Sequence, residues 1–273
     1  MKSVTNALSV LLVGLFTSSA CLVASAETIT ADQIVQRANH VAFYQGQDGR
    51  AETRMKIIDG SGREQLRQFT ILRKNVTDGG DQQFFVFFQR PSDVKRTAFL
   101  VKKHIDRDDD RWLYLPSLDL VKRISAGDKR TSFVGSDFYY EDVSGRSLKA
   151  DKHTLTETTE SHYIIDNYPV DPDGVEFKHY KVWVNKATYL PEKTEYFDDQ
   201  ENLYRSIEAL DQQEIDGYIT VTKMKVTDHR TGGYTLSEIR FIKYNIGIDD
   251  DVFSERSLRT PPQEWLKRPT NKT

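Results

Sequence analysis

The sequence predicts a mainly β, single-domain protein with about a dozen antiparallel strands and little helix. Three observations predict it. Apolar residues recur with a period of two along most of the chain, turn-forming runs such as Asp78-Gly79-Gly80 separate the alternating segments, and helical spacing occurs mainly near the start. This pattern is typical of a barrel, a half-barrel or a sandwich, and it leaves the choice among them open.

A short amphipathic helix precedes the strands. Thr30 stands in the N-cap position with Gln33 three residues later, which favours a helix start. The apolar residues at three- and four-residue spacing are Ile34, Val35, Ala38 and Val41. The helix therefore has one apolar side to bury.

The first hairpin shows the strand pattern most clearly. Met55 and Ile57 alternate with Arg54 and Lys56, and the turn residues 59–62 lead into the next strand. We therefore expect Met55 and Ile57 to face the interior. The further predicted strands are 66–72, 82–89, 97–102, 111–115, 120–124, 154–158, 163–165, 177–184, 193–197, 203–210, 218–228 and 234–244. Only the tail from Arg259 onward is expected to be loosely attached.

Composition excludes several classes of protein. The chain has 273 residues, of which 29% are charged and 11% aromatic, so it is too polar for a polytopic membrane protein and too rich in core-forming residues for a disordered one. Lys and Arg total 38 against 41 Asp and Glu, a net charge of -3. A chain without excess positive charge has no field for a nucleic-acid backbone, so we expect no nucleic-acid partner.

The first 26 residues resemble a secretory signal. Lys2 provides the positive start, residues 7–16 form a short apolar run, and Ala24-Ser25-Ala26 is a small-x-small cleavage site. We expect cleavage after Ala26, a single domain over residues 27–273, and a periplasmic location. Lipidation at Cys21 is the less favoured alternative, because the lipoprotein pattern usually has Leu three residues earlier, where this chain has Ser18.

The strand around Phe84-Phe85-Val86-Phe87-Phe88 is apolar on both faces. One interpretation is a central strand buried on both sides. The other is a sheet curled around an apolar cavity, with one face packed against structure and the other facing a ligand. The pattern alone does not decide between them.

An acidic run raises the question of calcium. Asp106, Asp108 and Asp110 have the spacing of the start of a calcium loop, but Arg111 and Ser117 occupy the positions where the loop needs Gly and Glu. A solvated turn is therefore favoured, and no metal site is predicted.

Residues 131–142 combine four aromatic and three acidic side chains with one glycine. Such a segment is expected to be a surface helix or lid that inserts its aromatic side chains into the sheet, or a segment that closes over a ligand.

Catalysis finds little support in the sequence. The six histidines show no close-paired ligand spacing, and no G-x-S-x-G motif or phosphate-binding glycine loop occurs. We therefore predict no catalytic residues, no cofactor and no enzyme activity. A hydrolase using an acid pair such as Asp137 and Glu141 remains a minor alternative.

Three motifs give the chain a family resemblance: Arg90-Pro91, R-W-L-Y-L-P at 111–116, and G-S-D-F-x-Y-E-D at 135–142. With the leading signal and short helix, they resemble the LolA-like family of outer-membrane lipoprotein-sorting proteins. The resemblance implies a strongly curved antiparallel half-barrel, with a few short helices covering its mouth and an apolar cavity between them.

The resemblance also implies a function. Members are periplasmic and are thought to carry lipids or lipidated proteins, and some work beside inner-membrane exporters of the RND superfamily. We therefore expect a carrier that binds acyl chains and moves them between such an exporter and the outer membrane, with transient membrane contact. The alternative is a non-catalytic sensor or docking module of an envelope transporter complex.

Two sets of site residues follow from this hypothesis. The residues expected in the cavity or at its mouth are Met55, Ile57, Phe85, Phe87, Phe99, Trp112, Tyr114 and Phe133. Those expected to act as lid or docking surface are Asp137, Phe138, Tyr140, Glu141 and Asp142.

Overall fold

The computed structural model describes residues 29–268, so the predicted signal, its cleavage site and Cys21 lie outside the described residues. The four α-helices are α1 (Ala31–Asn39), α2 (Tyr140–Ser144), α3 (Glu255–Arg259) and α4 (Gln263–Leu266). The strands are β1 (Asp48–Ile58), β2 (Glu64–Asn75), β3 (Gln82–Arg90), β4 (Ala98–Lys103), β5 (Asp110–Leu115), β6 (Leu120–Ile124), β7 (Asp151–Thr158), β8 (His162–Pro169), β9 (His179–Asn185), β10 (Pro191–Phe197), β11 (Leu203–Ile215), β12 (Tyr218–Asp228) and β13 (Gly233–Tyr244).

The strands form one open antiparallel sheet. Its order is β6-β5-β4-β3-β2-β1-β13-β12-β11-β10-β9-β8-β7, so two meanders meet where β1 pairs with β13. Strands β6 and β7 are the edges, and they do not pair with each other. The predicted mainly β half-barrel is therefore confirmed, as an open curved sheet with few short helices.

Helix α1 begins as predicted. The Thr30 hydroxyl accepts a hydrogen bond from the Gln33 amide, and the Gln33 side chain accepts one from the Thr30 amide, which completes a capping box. The helix buries Ile34 and Ala38 against Ile165 and Val184 of β8 and β9. It runs into one turn of π-helix, His40–Tyr44. Together these turns lie across one end of the curved sheet.

The C-terminal segment is packed firmly, which corrects the expectation of a loose tail. Ile248, Phe253, Leu258 and Leu266 are buried against the convex face of β2 to β5. The Arg50 guanidinium donates to the Trp265 and Leu266 carbonyl oxygens. Strands β2 to β5 carry large apolar side chains on the convex face as well as on the concave face. Without the C-terminal segment, the convex-face side chains would be exposed to water.

This packing makes a stability prediction. Leu258→Ala should lower the free energy of unfolding by about 2–5 kcal/mol, because Leu258 is fully buried and its loss leaves a cavity. The control Leu210→Ala changes an exposed leucine and should stay within about 0.5 kcal/mol. Urea unfolding followed by tryptophan fluorescence measures both. Equal effects of the two substitutions would contradict the packing described.

Candidate ligand-binding cavity

The concave face of the sheet lines a partly open cavity of about 490 Å³. Inward-facing residues of β1, β2, β3 and β9 to β13 form its walls. Helix α1 and the π-helical turn cover one side, and residues 131–145, which we call the plug, cover another. The volume is in the range of small-molecule sites, which is roughly 300–1,000 Å³.

Most of the cavity wall is apolar and incompletely buried. On β3 and β4 the concave-facing side chains are fully covered, as the burial of Val86 and Phe99 shows. On β9 and β11 to β13 the apolar lining residues other than Val184 and Ile242 remain half-buried. The half-buried apolar residues lining the cavity are Val182, Ile207, Ile219, Val221, Met224 and Ile239. Since these side chains have no protein neighbour over part of their surface, the space beside them suits an apolar ligand.

Polar groups occupy one side of the cavity. Arg146, Asn167 and Tyr180 contribute to the lining. Arg146 forms a two-point ion pair with Asp151 at 2.8 and 2.9 Å, and the Tyr180 hydroxyl donates to the same carboxylate at 2.8 Å. Asn167 donates to the Ile165 carbonyl at 3.1 Å. Arg146 is paired with Asp151, and Asn167 and Tyr180 are neutral side chains with partners inside the protein. These three residues therefore add no unpaired charge to this wall of the cavity.

The plug is fixed to the first meander by aromatic packing. The Phe133 ring lies within 5.5–6.2 Å of the rings of Phe69, Phe88, Phe99 and Tyr140, measured between centroids. These offset and edge contacts add to the apolar burial. The Arg67 guanidinium also donates to the Val134 carbonyl at 3.3 Å.

The plug is fixed to the second meander by buried charges. Glu141 accepts from Arg130 at 2.7 Å and from Arg146 at 3.4 Å, and Arg130 also donates to Glu176 of the 171–178 loop at 2.8 Å. Asp142 pairs with the Arg205 guanidinium of β11. The plug therefore bridges the two meanders across the open side of the sheet.

Electrostatics keep these groups ionised despite burial. Burial alone raises the pKa of Glu141, but the adjacent Arg130 and Arg146 outweigh it and hold the pKa below its ordinary value. Arg205 lies 4.1 Å above the Tyr139 ring centroid, a cation–π contact that adds to its pairing with Asp142. Asp137 is different, because burial raises its pKa while the Thr235 hydroxyl bonds its carboxylate at 2.6 Å.

The helical side of the cavity is held by side chains of the sheet. Arg73 of β2 donates to the carbonyl oxygens of Phe43 and Gly46 at 2.8 and 3.2 Å. Lys103 of β4 donates to the Ser144 carbonyl at 2.6 Å and lies 5.1 Å from the Phe43 ring centroid. Burial lowers the pKa of Lys103 to about 8. One lysine thus joins the end of the plug to the π-helical turn.

Five of the predicted site residues line the cavity: Met55, Phe133, Phe138, Glu141 and Asp142. Phe99 of β4 and Tyr140 of the plug lie close by, but they are buried against each other between the sheet and the plug. Ile57 is buried at the plug end of the sheet, opposite Thr235, whose hydroxyl binds Asp137. The acidic side chains of the plug therefore bond inward, and they do not form an open surface.

Four predicted cavity residues lie on the other face of the sheet. Phe85, Phe87, Trp112 and Tyr114 pack beneath the C-terminal segment, on the convex side. Phe84 and Val86 line the cavity instead. Both interpretations of the aromatic strand are therefore partly right: one face packs against structure, and the other borders the cavity.

The lining residues of β9 and β11 to β13 were absent from the predicted site. Alternation in these strands does mark Val182 and Val184, and likewise Ile219 and Val221, as sharing a face. Nothing in the pattern shows that this face closes over the same space as β1 to β3. The pairing of β1 with β13 brings this face and the inward face of β1 to β3 around the same cavity.

Residues 29–268 contain neither a metal-binding cluster nor a candidate membrane-spanning helix. No cluster of three or more His, Cys, Asp or Glu side chains there could hold a metal ion. In the same range no helix has the length and apolar character needed to cross a bilayer.

An open curved sheet closed by short helices around an apolar cavity defines the LolA-like class of fold. A family model described as "uncharacterized protein" matches residues 80–260. Taken together with the 30% identical DUF1329 family protein described below, it shows that the chain belongs to the DUF1329 family, and its fold is LolA-like. No curated protein matches the chain.

Three solved structures are similar to most of the chain, each covering 84% of it. A DUF1329 family protein from Desulfovibrio piger has 30% identity, a TM-score of 0.77 and 97% of its own length covered. An outer membrane lipoprotein-sorting protein domain from Vibrio parahaemolyticus has 28% identity, a TM-score of 0.75 and 98% coverage. A LolA superfamily protein from Nitrosomonas europaea has 18% identity, a TM-score of 0.65 and 99% coverage, and this likeness concerns the fold alone.

The buried charges of the plug make a pH prediction. Glu141→Gln should lower the free energy of unfolding near neutral pH by about 1.5–3 kcal/mol, because it weakens the charged hydrogen bonds to Arg130 and Arg146. These arginines keep Glu176 and Asp151 as their other partners. The pKa of Glu141 is lowered in the folded state, so its contribution is complete above 4.5 and is lost as pH falls through the lower folded value. Denaturant unfolding of both proteins from about pH 7 to about pH 3 measures this difference.

The matched control for this prediction is Glu157→Gln, at an exposed position of β7. It should change stability by less than about 0.5 kcal/mol at every pH. A Glu141→Gln deficit that stays constant into acid would contradict the assigned role.

Proposed function

We propose that this protein is a periplasmic carrier that binds lipid or lipoprotein acyl chains in its cavity and moves them between an inner-membrane exporter and the outer membrane. The observation that carries the proposal is the mostly half-buried set of apolar side chains on β9 and β11 to β13 beside a partly open cavity of about 490 Å³. A core serving stability alone would fill that space with side chains, as β3 and β4 do beneath the plug.

The free energy of transfer explains why such a cavity is needed. Each methylene exposed to water costs about 0.8 kcal/mol, so an acyl chain of about 16 carbons costs on the order of 12 kcal/mol to move unshielded. A soluble carrier offsets this cost with an apolar interior inside a polar exterior. The outward Arg54 and Lys56 beside the inward Met55 illustrate that arrangement on β1.

The proposed ligand contacts follow from the geometry. Met55, Phe133 and Phe138 from the predicted set join Ile207, Met224 and Ile239 along the acyl chain. The plug forms a fixed side of the cavity through Glu141 and Asp142. An RND-superfamily exporter is the proposed donor, with transient contact at the membrane, and no step in this function requires catalysis or a cofactor.

Filling the cavity should abolish binding. Ala209→Trp places an indole in the cavity, since Ala209 is half-buried and lines it. We expect the affinity for a fluorescent fatty-acid probe to fall about tenfold or more, because the probe and the indole compete for one volume. Titration of the purified protein with the probe measures this.

Leu210→Trp is the matched control, because Leu210 follows Ala209 in the chain and its side chain is exposed. It adds the same ring outside the cavity and should leave the affinity unchanged. Thermal unfolding of both variants verifies that they are folded. Undiminished binding by Ala209→Trp would place the ligand elsewhere.

A further inference from the structure

The wall of the cavity is interrupted between β12 and β13. Their pairing ends at Lys223 and Glu238, although β12 begins at Tyr218 and β13 continues to Tyr244. Beyond that point β13 pairs with β1 alone. Pairing of β11 with β10 likewise ends at Glu208. Residues 209–222 therefore form a two-stranded ribbon whose outer edges pair with no neighbouring strand among the described residues.

Local backbone irregularities explain the separation. The β11–β12 register shifts on both sides of Asp211. On β13, Phe241 has φ of 51°, in the left-handed region, and the β1–β13 register shifts between Arg50 and Glu52. Bulges bend strands and increase their twist. Because β12 and β13 each have a bulge or register shift close to this point, the two strands diverge here.

The two sides of the interruption are apolar and reach the cavity. Ile219 and Val221 of β12 and Ile239 and Ile242 of β13 all line it. A passage that leads between these strands from solvent to the cavity is thus bordered by aliphatic side chains.

Only side-chain contacts close this passage. The rings of Tyr218 and Tyr244 lie 4.9 Å apart, and the Thr220 and Tyr244 hydroxyls are 2.9 Å apart. The side-chain amide of Gln45 donates to the Ile219 carbonyl at 2.8 Å, and the backbone N–H of Tyr244 donates to the Asp216 carboxylate at 3.1 Å. Asn245 also donates to the Tyr218 hydroxyl at 3.2 Å, and Lys243 pairs with Asp216 at 3.6 Å. Each such hydrogen bond contributes about 0.5–1.5 kcal/mol, and opening the ribbon breaks no strand pairing between β12 and β13.

The helical side of the cavity is held far more strongly. Besides the Arg73 bonds, Gln82 donates to the Phe43 carbonyl at 2.7 Å, Asn75 to the Tyr44 carbonyl at 3.2 Å, and the Tyr44 hydroxyl to the Gly80 carbonyl at 2.7 Å. The apolar face of α1 is buried as well. Lifting this cover would break all of these contacts together.

We infer that acyl chains enter and leave the cavity sideways, between β12 and β13, as the 209–222 ribbon swings outward while α1 and the plug stay in place. This inference rests on the proposed function, because it assigns the route to the same cavity.

Reversible cross-linking tests the route. In a Cys21→Ser chain, Thr220→Cys with Tyr244→Cys places two thiols across the passage, to be joined by a short bis-maleimide containing a cleavable disulfide. His40→Cys with Asp78→Cys is the control, since these exposed side chains, 3.2 Å apart, join the π-helical turn to the 76–81 loop. The readout is the rate at which each protein takes up a fluorescent fatty-acid probe, before cross-linking, after it, and after reduction.

Closing the passage should slow uptake about tenfold or more, and reduction should restore it, while the cross-linked control keeps its rate. Each protein is its own reference, so any effect of the substitutions alone cancels. Unchanged uptake with the passage closed, or equal slowing in both cross-linked proteins, would overturn the route while leaving the carrier function standing. Failure of the unmodified protein to bind the probe would refute the carrier function, and the route with it.

Discussion

The bridge made by the plug is the interaction on which the rest of the structure depends. The β1–β13 pairing joins the two meanders at the middle of the sheet, but the edge strands β6 and β7 do not pair, so the sheet alone does not fix the distance between the outer parts of the two meanders. The plug supplies this link, because Phe133 packs into the first meander while Asp142 pairs with Arg205 of the second. The curvature of the sheet, and therefore the volume of the cavity, follows from that link.

The two ends of the bridge differ in chemistry, and the difference matters for the cavity. Aromatic packing fills the space beneath the plug completely, whereas the charged end needs an oppositely charged partner for each buried group. Glu141 meets this need by contacting Arg130 and Arg146 together. The buried charges of the plug are thereby paired with one another, and aliphatic side chains such as Ile207, Val221 and Ile239 remain along β11 to β13.

The sequence predicts much of the fold because local chemistry determines it: the Thr30–Gln33 cap and the burial of Met55 and Ile57 appear as expected, and the plug inserts the aromatic Phe133 into the sheet. The face of β3 could not be predicted, because Phe84 and Phe85 are equally apolar and only the C-terminal segment distinguishes their surroundings. The inward role of Glu141 and Asp142 was missed for a similar reason, since their arginine partners are up to 63 residues away. Non-local contacts of this kind leave no periodic trace in a single sequence.

Native mass spectrometry of the protein purified without detergent from a Gram-negative periplasm can show whether the cavity holds acyl chains. The proposed binding predicts a population carrying bound mass at near one-to-one stoichiometry, from which lipid extraction recovers acyl-chain molecules. A clean unliganded mass that stays unchanged after addition of lipids would contradict it. That result would instead favour a docking module in which the apolar wall serves packing alone.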